Sequence, residues 1–408
     1  MHIALVSYEY PPVNAVGGIG SYMEHLANFL WGNGHKVTVF SADPSGSDVK
    51  ETILKYCVNY LIPAKDNESF REAVVPVFDR FLRSNFVDAI ESPEVGACAW
   101  YIKEKYPHIP LIVKMHTPGV LITKFSNTYI PALDKLRFVA GALRRGKIDL
   151  GYWSRYDKNR DVDLEYKICR RADILLSPSV ALQRWASHYW KIPAEEIKIL
   201  PNPFSLDEEL FKLPLEQRPQ VICFIGKLSV LKGMRTLTEA IPFIVKKNRN
   251  CKIFLVGRDV KENGQSMKEY MQVKLKKYHK NIVFTGALER NELAKIYAIS
   301  KINVVPSLWE NYPTVVLESM AAGVAVIASD AGGIPEMITD SETGYLINSK
   351  SSLQLAKTIN IVLKDENERL RIVKAAREKL QKSINSQNFK EDQLNIYCSV
   401  GRGKKSFV

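Results

Sequence analysis

The chain is poor in the residues that build disulfide frameworks and zinc sites. Its 6 cysteines and 7 histidines are scattered over 408 residues, with neither a Cys-x-x-Cys pair nor a histidine at metal-ligand spacing from a cysteine. Cys223 and Cys251 fall inside apolar strand patterns, which is typical of buried, reduced thiols. We therefore predict neither disulfides nor a metal centre.

Long apolar runs are also lacking. No stretch approaches the ~18 consecutive apolar residues of a membrane-spanning helix. The N-terminus, HIALVSYEYPP, has neither the basic start nor the sustained apolar core of a signal peptide. These absences predict a cytoplasmic protein without a membrane span.

Nothing in the composition indicates disorder. The hydrophobic fraction is 46% and the charged fraction 25%, as in ordinary globular proteins. Since 408 residues exceed the size at which a single core keeps growing, we predict two domains.

The charge is strongly of one sign. A net charge of +13 predicts attraction to an anionic partner, which could be nucleic acid, an acidic membrane surface or a phosphorylated substrate. A basic surface that is only solvated would give the same net charge, so composition alone does not distinguish between these partners and a surface without a partner.

Short apolar runs rich in β-branched residues alternate with amphipathic stretches along the whole chain. This alternation predicts parallel sheets covered on both faces, and therefore two doubly wound α/β domains. The break between them is expected in the proline-rich stretch LPNPFSLDEELFKLPLEQRP, residues 200–219. The runs are HIALVS, KVTVF, VDAIES, PLIVKMH, DILLSPS and IKILPN, then VICFIGK, CKIFLVG, NIVFTG, INVVPS and VAVIAS.

Residues 118–160 depart from this alternation. Leucines and alanines recur there at helical spacing, which predicts an amphipathic helix. A lid with a solvated basic face and a surface for an acceptor or a membrane are both compatible with the segment. Its basic residues include Lys135, Arg137, Arg144, Arg145, Lys147, Arg155, Lys158 and Arg160, and its aromatic residues include Phe138, Tyr152, Trp153 and Tyr156.

The segment LWENYPTVVLESMAAG, residues 308–323, is the most informative stretch. Glu310 and Glu318 flank a Pro-Thr turn that should open a helix near Thr314, with Glu318 in its first turn, where the helix dipole alone would also favour a carboxylate. A helix start presents free N–H groups and the positive end of its dipole, so the segment can hold an anion with a carboxylate on either side. A nucleotide sugar has this distribution of charge and hydroxyl groups.

Three further elements lie at predicted strand ends. In GKLSVLKG, Lys227 and Lys232 flank the loop after a strand, where both ammonium groups can neutralise a departing pyrophosphate without a metal. In PPVNAVGGIG, Gly17 and Gly18 allow the backbone to approach a phosphate or sugar, although Gly-Gly is also an ordinary turn. His116 ends the strand PLIVKMH, where a structural histidine is the alternative.

Taken together and in their order along the chain, these four elements, with KMHTPG (residues 114–119) around His116, resemble glycosyltransferase family 4, retaining enzymes of GT-B fold. The resemblance implies two doubly wound Rossmann-like domains facing each other across a deep crevice. It implies an acceptor-binding domain over residues 1–204, carrying the insertion 118–160, and a nucleotide-sugar domain over residues 205–384. Residues 385–408 would form a last helix that crosses back to the N-terminal domain, followed by a basic tail.

The resemblance also implies roles for single residues. Glu310 and His116 would contact the transferred sugar, Glu318 would hold the ribose hydroxyls, and Lys227 stands where the family more often has arginine. Asn-Tyr-Pro-Thr replaces the Gly-Phe-Gly of many relatives. The implied catalytic residues are Glu310, His116, Lys227 and Lys232; the implied donor-binding residues are Gly17, Gly18, Gly257, Arg258, Leu288, Tyr312, Pro313, Thr314, Val315 and Glu318.

The function implied is transfer of a hexosyl group, with retention, from a UDP- or GDP-sugar to a hydroxyl of a glycan, glycolipid or small saccharide, in polysaccharide or glycoconjugate biosynthesis. No cofactor or metal is expected, since Asp161 and Asp163 fit a helix N-cap better than a metal site. Peripheral contact with an anionic membrane stays open, and nucleic acid is not expected as a partner. The alternatives are a GT-B isomerase or phosphorylase, and a non-enzymatic basic protein that binds membrane or nucleic acid.

Overall fold

The computed structural model describes residues 1–14, 17–128, 132–146, 160–203, 208–216, 218–262, 264–385 and 387–402. The chain divides into two compact units. The first contains Met1–Val120, Trp153–Ser205 and Gln387–Val408, and the second contains Leu121–Tyr152 and Leu206–Ser386.

The first unit is built on a sheet that has eight strands in the described residues. They are β1 (His2–Ser7), β2 (Lys36–Asp43), β3 (Lys50–Ile53), β4 (Val58–Pro63), β5 (Ala89–Pro93), β6 (Leu111–Lys114), β7 (Ile174–Ser177) and β8 (Ile197–Ile199). Their order is β3-β4-β2-β1-β5-β6-β7-β8, with only the β3–β4 pair antiparallel. Every residue of β1 is buried, because helices cover both faces of a parallel sheet.

The second unit contains the remaining strands: β9 (Val221–Ile225), β10 (Lys252–Val256), β11 (Lys261–Glu262), β12 (Gln265–Ser266), β13 (Ile282–Gly286), β14 (Ile302–Val305), β15 (Ala325–Ser329) and β16 (Tyr345–Ile347). The main sheet has the order β13-β10-β9-β14-β15-β16, and its neighbouring strands run parallel. The strands β11 and β12 form a small antiparallel ribbon.

Helices alternate with the strands, as the sequence pattern predicts. They are α1 (Gly18–Gly32), α2 (Asn67–Leu82), α3 (Trp100–Lys105), α4 (Gly119–Thr128), α5 (Ala132–Arg144), α6 (Leu164–Arg171), α7 (Val180–Tyr189), α8 (Glu208–Lys212), α9 (Met234–Lys247), α10 (Met267–Lys274), α11 (Arg290–Ile299), α12 (Thr314–Ala321), α13 (Ile334–Met337), α14 (Ser352–Lys364), α15 (Glu366–Asn385) and α16 (Gln387–Arg402). Within the part of the chain that the structure describes, no helix combines the length and the apolar character needed to span a bilayer.

Each unit has its own core. In the second, Leu237, Ile241 and Ile244 recur on one face of α9 and are fully buried with the strand residues Ile253 and Ile327. In the first, the strands and α1 pack with three residues of the last helix, namely Ile396, Tyr397 and Val400.

The segment predicted as an insertion of the N-terminal domain is divided differently in the structure. Residues 121–152 group with the second unit. Phe125 of α4 packs against the core of that unit and stacks on Trp309, with 6.1 Å between ring centroids. Residues 147–159, which include Lys147, Tyr152, Trp153, Arg155, Tyr156 and Lys158, lie outside the described residues.

Candidate functional site

In the second unit, Lys232 and Glu310 meet at the carboxyl edge of the sheet. Lys232 follows β9 and Glu310 follows β14, and these strands are parallel neighbours. Lys232 Nζ lies 2.5 Å from Glu310 Oε1, and Ser307 Oγ donates a hydrogen bond of 2.9 Å to the same oxygen. Two predicted catalytic residues therefore form an ion pair, which is half-buried and so only partly screened by water.

The backbone of Glu310 is fixed as well. The amide of Gly333 donates to its carbonyl oxygen at 2.8 Å. Gly332 has a φ of +61°, and a Cβ there would lie 1.9 Å from the same oxygen. Since that contact requires glycine, Ala331-Gly332-Gly333 is a second loop that supports Glu310, and the sequence interpretation missed it.

Glycines also bring the loops after β9, β10 and β13 together. Gly257 has a φ of +140°, and a Cβ at this position would lie 1.9 Å from the carbonyl oxygen of Gly226. The amide of Gly257 donates to Gly286 at 2.8 Å, and the amide of Leu228 donates to Arg258 at 2.8 Å. The strand ends that carry the predicted Lys227, Gly257 and Arg258 therefore share one edge of the sheet.

Side chains at this edge differ in exposure. Arg258 is exposed, whereas Lys227 and Leu288 are half-buried. Leu288 packs against a small cluster that includes Cys223, Val256 and Ile296. The cysteine is thus a buried thiol, as its strand pattern predicts.

The helix predicted after Pro313 begins at Thr314, with Pro313 in extended conformation at its N-cap. Pro313 has no N–H to donate, and its carbonyl accepts from Val316 at 3.1 Å. Thr314 and Val315 are half-buried. Because they lie in the first turn, their amides belong to the N–H groups that have no partner within the helix. Burial raises the pKa of the preceding Tyr312, with the charge of Glu336 adding to the effect.

Glu318 lies one turn later than the sequence predicts. The first turn of α12 contains no acidic residue, because the helix begins at Thr314 and Glu318 is in its second turn. A helix-start role through the dipole is therefore excluded. Its Oε2 accepts a hydrogen bond of 2.7 Å from the hydroxyl of Tyr297. Burial raises the pKa of Glu318, while the Tyr297 hydrogen bond and the charge of Arg290 act in the opposite direction.

In the first unit, His116 follows β6 and is held by Glu94. The His116 amide donates to both oxygens of the buried Glu94 carboxylate at 2.7 Å. Its Nδ1 lies 3.0 Å from the carbonyl oxygen of Lys114, and its ring contacts Tyr22 edge-to-face at 5.0 Å. The structure thus fixes the orientation of the predicted histidine.

Gly17 is the N-cap of α1 and Gly18 its first residue. A Cβ added to Gly18 would meet nothing within 4 Å. Steric contacts within this unit therefore do not require glycine at position 18. A close approach to a ligand and an ordinary turn are both compatible with this glycine.

Motif reasoning missed a buried polar cluster beside His116. Tyr22 donates to Glu91 Oε1 at 2.5 Å, and Tyr397 of α16 donates to Glu91 Oε2. Lys114 donates to the carbonyl oxygen of Leu200. Burial lowers the pKa of Lys114 and raises that of Glu91. The motifs assign no role to these residues, because the cluster joins side chains from distant parts of the chain.

The half-buried carboxylate of Glu165 supports the loop after His116. Glu165 accepts from the amides of Gly96 at 3.1 Å and Gly119 at 2.7 Å. Burial, with the nearby charge of Glu94 adding to it, raises the pKa of Glu165 to about 7.

Asp163 is the N-cap of α6, where it accepts from the amides of Glu165 at 2.9 Å and Tyr166 at 3.4 Å. The N-cap prediction is confirmed for Asp163. In the described ranges, no group of three or more His, Cys, Asp or Glu side chains is arranged to hold a metal ion.

Two family models match consecutive parts of the chain. Residues 16–208 match Glycosyltransferase Family 4, and residues 206–379 match Glycosyl transferases group 1. An uncharacterized glycosyltransferase of Methanocaldococcus jannaschii is 24% identical, over 97% of this chain and 98% of its own length.

Solved structures give the same picture. Sucrose-phosphate synthase from Thermosynechococcus elongatus superposes with a TM-score of 0.75 at 21% identity, covering 98% of this chain and 99% of that chain. Anabaena HepE in complex with UDP-glucose gives a TM-score of 0.67 at 16% identity, covering 98% and 100%. These likenesses confirm the predicted GT-B fold class. The two family matches, to residues 16–208 and 206–379, show that the chain belongs to the group 1 glycosyltransferases of glycosyltransferase family 4.

Proposed function

We propose that the protein transfers a hexosyl group, with retention of anomeric configuration, from a UDP- or GDP-sugar to an acceptor hydroxyl. The observation that carries the proposal is the Lys232–Glu310 ion pair beside the helix that bears Glu318. Two loops and one helix thereby present a cation, a carboxylate for sugar hydroxyls, free amides and a second, half-buried carboxylate. The names of the relatives support the donor class, since the Anabaena protein is seen with UDP-glucose.

In the proposed reaction, the bond between the anomeric carbon and the diphosphate oxygen breaks, and the acceptor oxygen forms a bond to that carbon on the same face. The acceptor proton passes to the departing phosphate oxygen. Negative charge grows on the diphosphate as the bond breaks, so Lys232, Lys227 and the amides of Thr314 and Val315 stabilise the transition state more than the ground state.

Binding roles follow the same logic. Glu310 would accept hydrogen bonds from hydroxyls of the sugar, and Glu318 from those of the ribose. The loops bearing Gly257, Arg258 and Leu288 would contact the rest of the nucleoside, next to Tyr312 and Pro313. We propose that His116 contacts the transferred sugar. We also propose that the backbone at Gly17 and Gly18 approaches the donor closely.

The proposal includes no metal. Fixed cations and a helix start supply positive charge where a metal ion would otherwise supply it. The acceptor is a glycan, a glycolipid or a small saccharide, and the process is polysaccharide or glycoconjugate biosynthesis.

The test is a screen of UDP- and GDP-hexoses that begins with UDP-glucose, each with a panel of saccharide and glycolipid acceptors. With an α-linked donor we expect an α-linked product by NMR and turnover that survives EDTA. An inverted product contradicts the retaining mechanism, and loss of turnover in EDTA with rescue by Mn²⁺ contradicts metal independence. A Glu310→Gln variant should lose transfer.

The same screen separates the alternatives. An isomerase would convert the nucleotide sugar without any acceptor, and a phosphorylase would release a sugar phosphate when given inorganic phosphate. A non-enzymatic binding protein would leave every donor unchanged.

We further propose peripheral contact with an anionic membrane through α5. Leu136, Ala140 and Leu143 are exposed and lie on one face of this helix, and Arg144 and Arg145 are exposed at its end. An exposed apolar face with adjoining arginines suits the boundary between acyl chains and anionic head groups.

A further inference from the structure

Tyr297 makes a contact with the candidate site that no motif announces. It is in α11, is 1% exposed, and donates from its hydroxyl to Glu318 Oε2 at 2.7 Å. The Glu318 carboxylate is half-buried, and the burial is enough to raise its pKa, so it is stabilised by hydrogen-bond donors from the protein. The Tyr297 hydroxyl supplies one donor from inside the protein.

Tyr297 is itself held in place through its backbone. Arg218 Nη1 donates to the carbonyl oxygens of Tyr297 at 3.1 Å and Ser300 at 2.8 Å. Its Nη2 donates to the carbonyl oxygen of Ala322 at 2.6 Å. One buried guanidinium therefore joins the C-terminal ends of α11 and α12, the helices that carry Tyr297 and Glu318.

These contacts restrict how Glu318 can turn. The two helices are fixed relative to each other at their C-terminal ends, and the Tyr297 ring is fully enclosed, so its hydroxyl stays in one position. A fixed donor at Oε2 limits rotation of the carboxylate plane and thereby sets the direction of Oε1.

We propose that Tyr297 is a positioning residue for donor recognition: its hydroxyl orients the Glu318 carboxylate to accept hydrogen bonds from the two ribose hydroxyls. This inference rests on the proposed function, which assigns the ribose to Glu318. A preoriented acceptor in a buried site discriminates against a ligand that lacks the hydroxyls, because the carboxylate is then left short of donors. Tyr297 thus contributes to selectivity for ribose without touching the nucleotide.

The experiment compares ribose with dideoxyribose in two proteins. Calorimetric titrations measure the affinity of the wild-type chain and of Tyr297→Phe for UDP and for 2′,3′-dideoxy-UDP. The affinities for GDP and 2′,3′-dideoxy-GDP are measured in parallel. We expect the wild type to prefer the ribonucleotide by about tenfold or more, equivalent to about 1.4 kcal/mol or more. In Tyr297→Phe this preference should fall severalfold, through weaker ribonucleotide binding and unchanged binding of the dideoxy ligand.

Tyr345→Phe is the matched control. Tyr345 lies in the same unit and donates to another carboxylate, Glu368 Oε1, at 2.6 Å. It should retain the wild-type ribose preference, whatever its effect on melting temperature. A general loss of stability would weaken binding of both ligands equally and leave their ratio unchanged.

A second variant covers failure of Tyr297→Phe to fold. In a Glu318→Gln background no buried charge is left when the hydroxyl is removed, and adding Tyr297→Phe should lower whatever ribose preference remains.

The outcomes are distinct. An unchanged ribose preference in Tyr297→Phe, or in the double variant if that is the one that folds, overturns the positioning role while leaving Glu318 as ribose ligand. Equal wild-type affinity for ribose and dideoxyribose ligands overturns the assignment of Glu318 and the inference with it. Failure of the wild type to bind any of the four nucleotides overturns the proposed function itself.

Discussion

At the scale of the residue, the charges of Lys232 and Glu310 are paired with each other. Lys232 contacts Glu310 at 2.5 Å, and Ser307 contacts the same carboxylate oxygen. A diphosphate close to Lys232 would compete for this ammonium group, and the released Glu310 oxygen would gain hydroxyl donors from the sugar. The ion pair thus couples the two ends of the proposed donor.

We expect Lys232→Met to lower kcat by about 10²-fold, as the loss of an electrostatic donor to a transition state does in other enzymes. The effect on KM should be smaller, because charge on the diphosphate grows as the bond breaks. Lys227→Met should act in the same direction. Steady-state kinetics with the donor found in the screen measure both, with the exposed Lys274→Met of the same unit as the control. Near wild-type kcat in both site variants would assign this work to another cation.

Glu165 predicts a pH dependence of stability. Burial raises its pKa from 4.5, the ordinary value for glutamate, to about 7, so Glu165 binds more protons in the folded protein than in the unfolded chain between these pH values. Stability should therefore fall as the pH rises through this window, by on the order of 3 kcal/mol. Glu165→Gln removes the titrating group, and its unfolding free energy relative to wild type should increase from pH 4.5 to 7 and then level off.

Glu366 offers a control of opposite sign. Its hydrogen bond to Arg369 lowers its pKa to about 2, so its contribution is present above pH 4.5 and is lost as the pH falls towards 2. Denaturant titrations of Glu366→Gln should differ from wild type most above this window. A Glu165→Gln difference that does not vary with pH would contradict the raised pKa of Glu165.

At the scale of the element, the second unit converts strand ends into a site through close contacts between loops. The loops after β9 and β10 meet at Gly226 and Gly257, and the loop after β14 meets the loop after β15 at Glu310 and Gly332. These backbone contacts require glycine, so a small side chain should move whole loops.

Gly257→Ala should destabilise the fold and weaken nucleotide binding. A Cβ would lie 1.9 Å from the Gly226 carbonyl oxygen at a φ of +140°, so both strain and a backbone clash oppose it. Gly264→Ala is the matched control, because Gly264 has a φ of +79° with nothing within 4 Å. We expect a clearly larger loss of melting temperature for Gly257→Ala. Equal losses would mean that the loop contact contributes nothing beyond φ strain.

At the scale of the whole molecule, the net charge of +13 remains the least specific feature. Within the described residues the proposed membrane contact is limited to α5, where exposed leucines adjoin Arg144 and Arg145. Electrostatic attraction to anionic lipid adds about 1 kcal/mol per basic residue near the surface and is screened by salt.

We expect the protein to sediment with anionic liposomes at low ionic strength and to be released as salt rises. Charge reversal at Arg144 and Arg145 should reduce this binding more than reversal at Lys276 and Lys277, which are exposed and give the same net charge. Equal loss in both variants would indicate a general charge effect, and no binding by wild type would favour a solvated helix face.

The sequence by itself determined the fold class and proposed the residues of the candidate site. Alternating apolar runs identify doubly wound units because each buried parallel strand must be apolar throughout, and short motifs at strand ends locate Lys227, Lys232, His116, Glu310 and Glu318. A motif covers only a short stretch of sequence, so the motifs could not predict the long-range contacts that orient these residues.

Only the tertiary structure decided which partners hold the site residues. Tyr297 contacts Glu318, and Arg218 contacts Ala322. Glu165 contacts Gly119, and Tyr397 contacts Glu91. The partners are far apart in sequence, and no periodicity or spacing links such residues. The chemistry of a residue can be predicted from its motif. Its orientation is set by packing against helices and strands that only the tertiary fold places next to it.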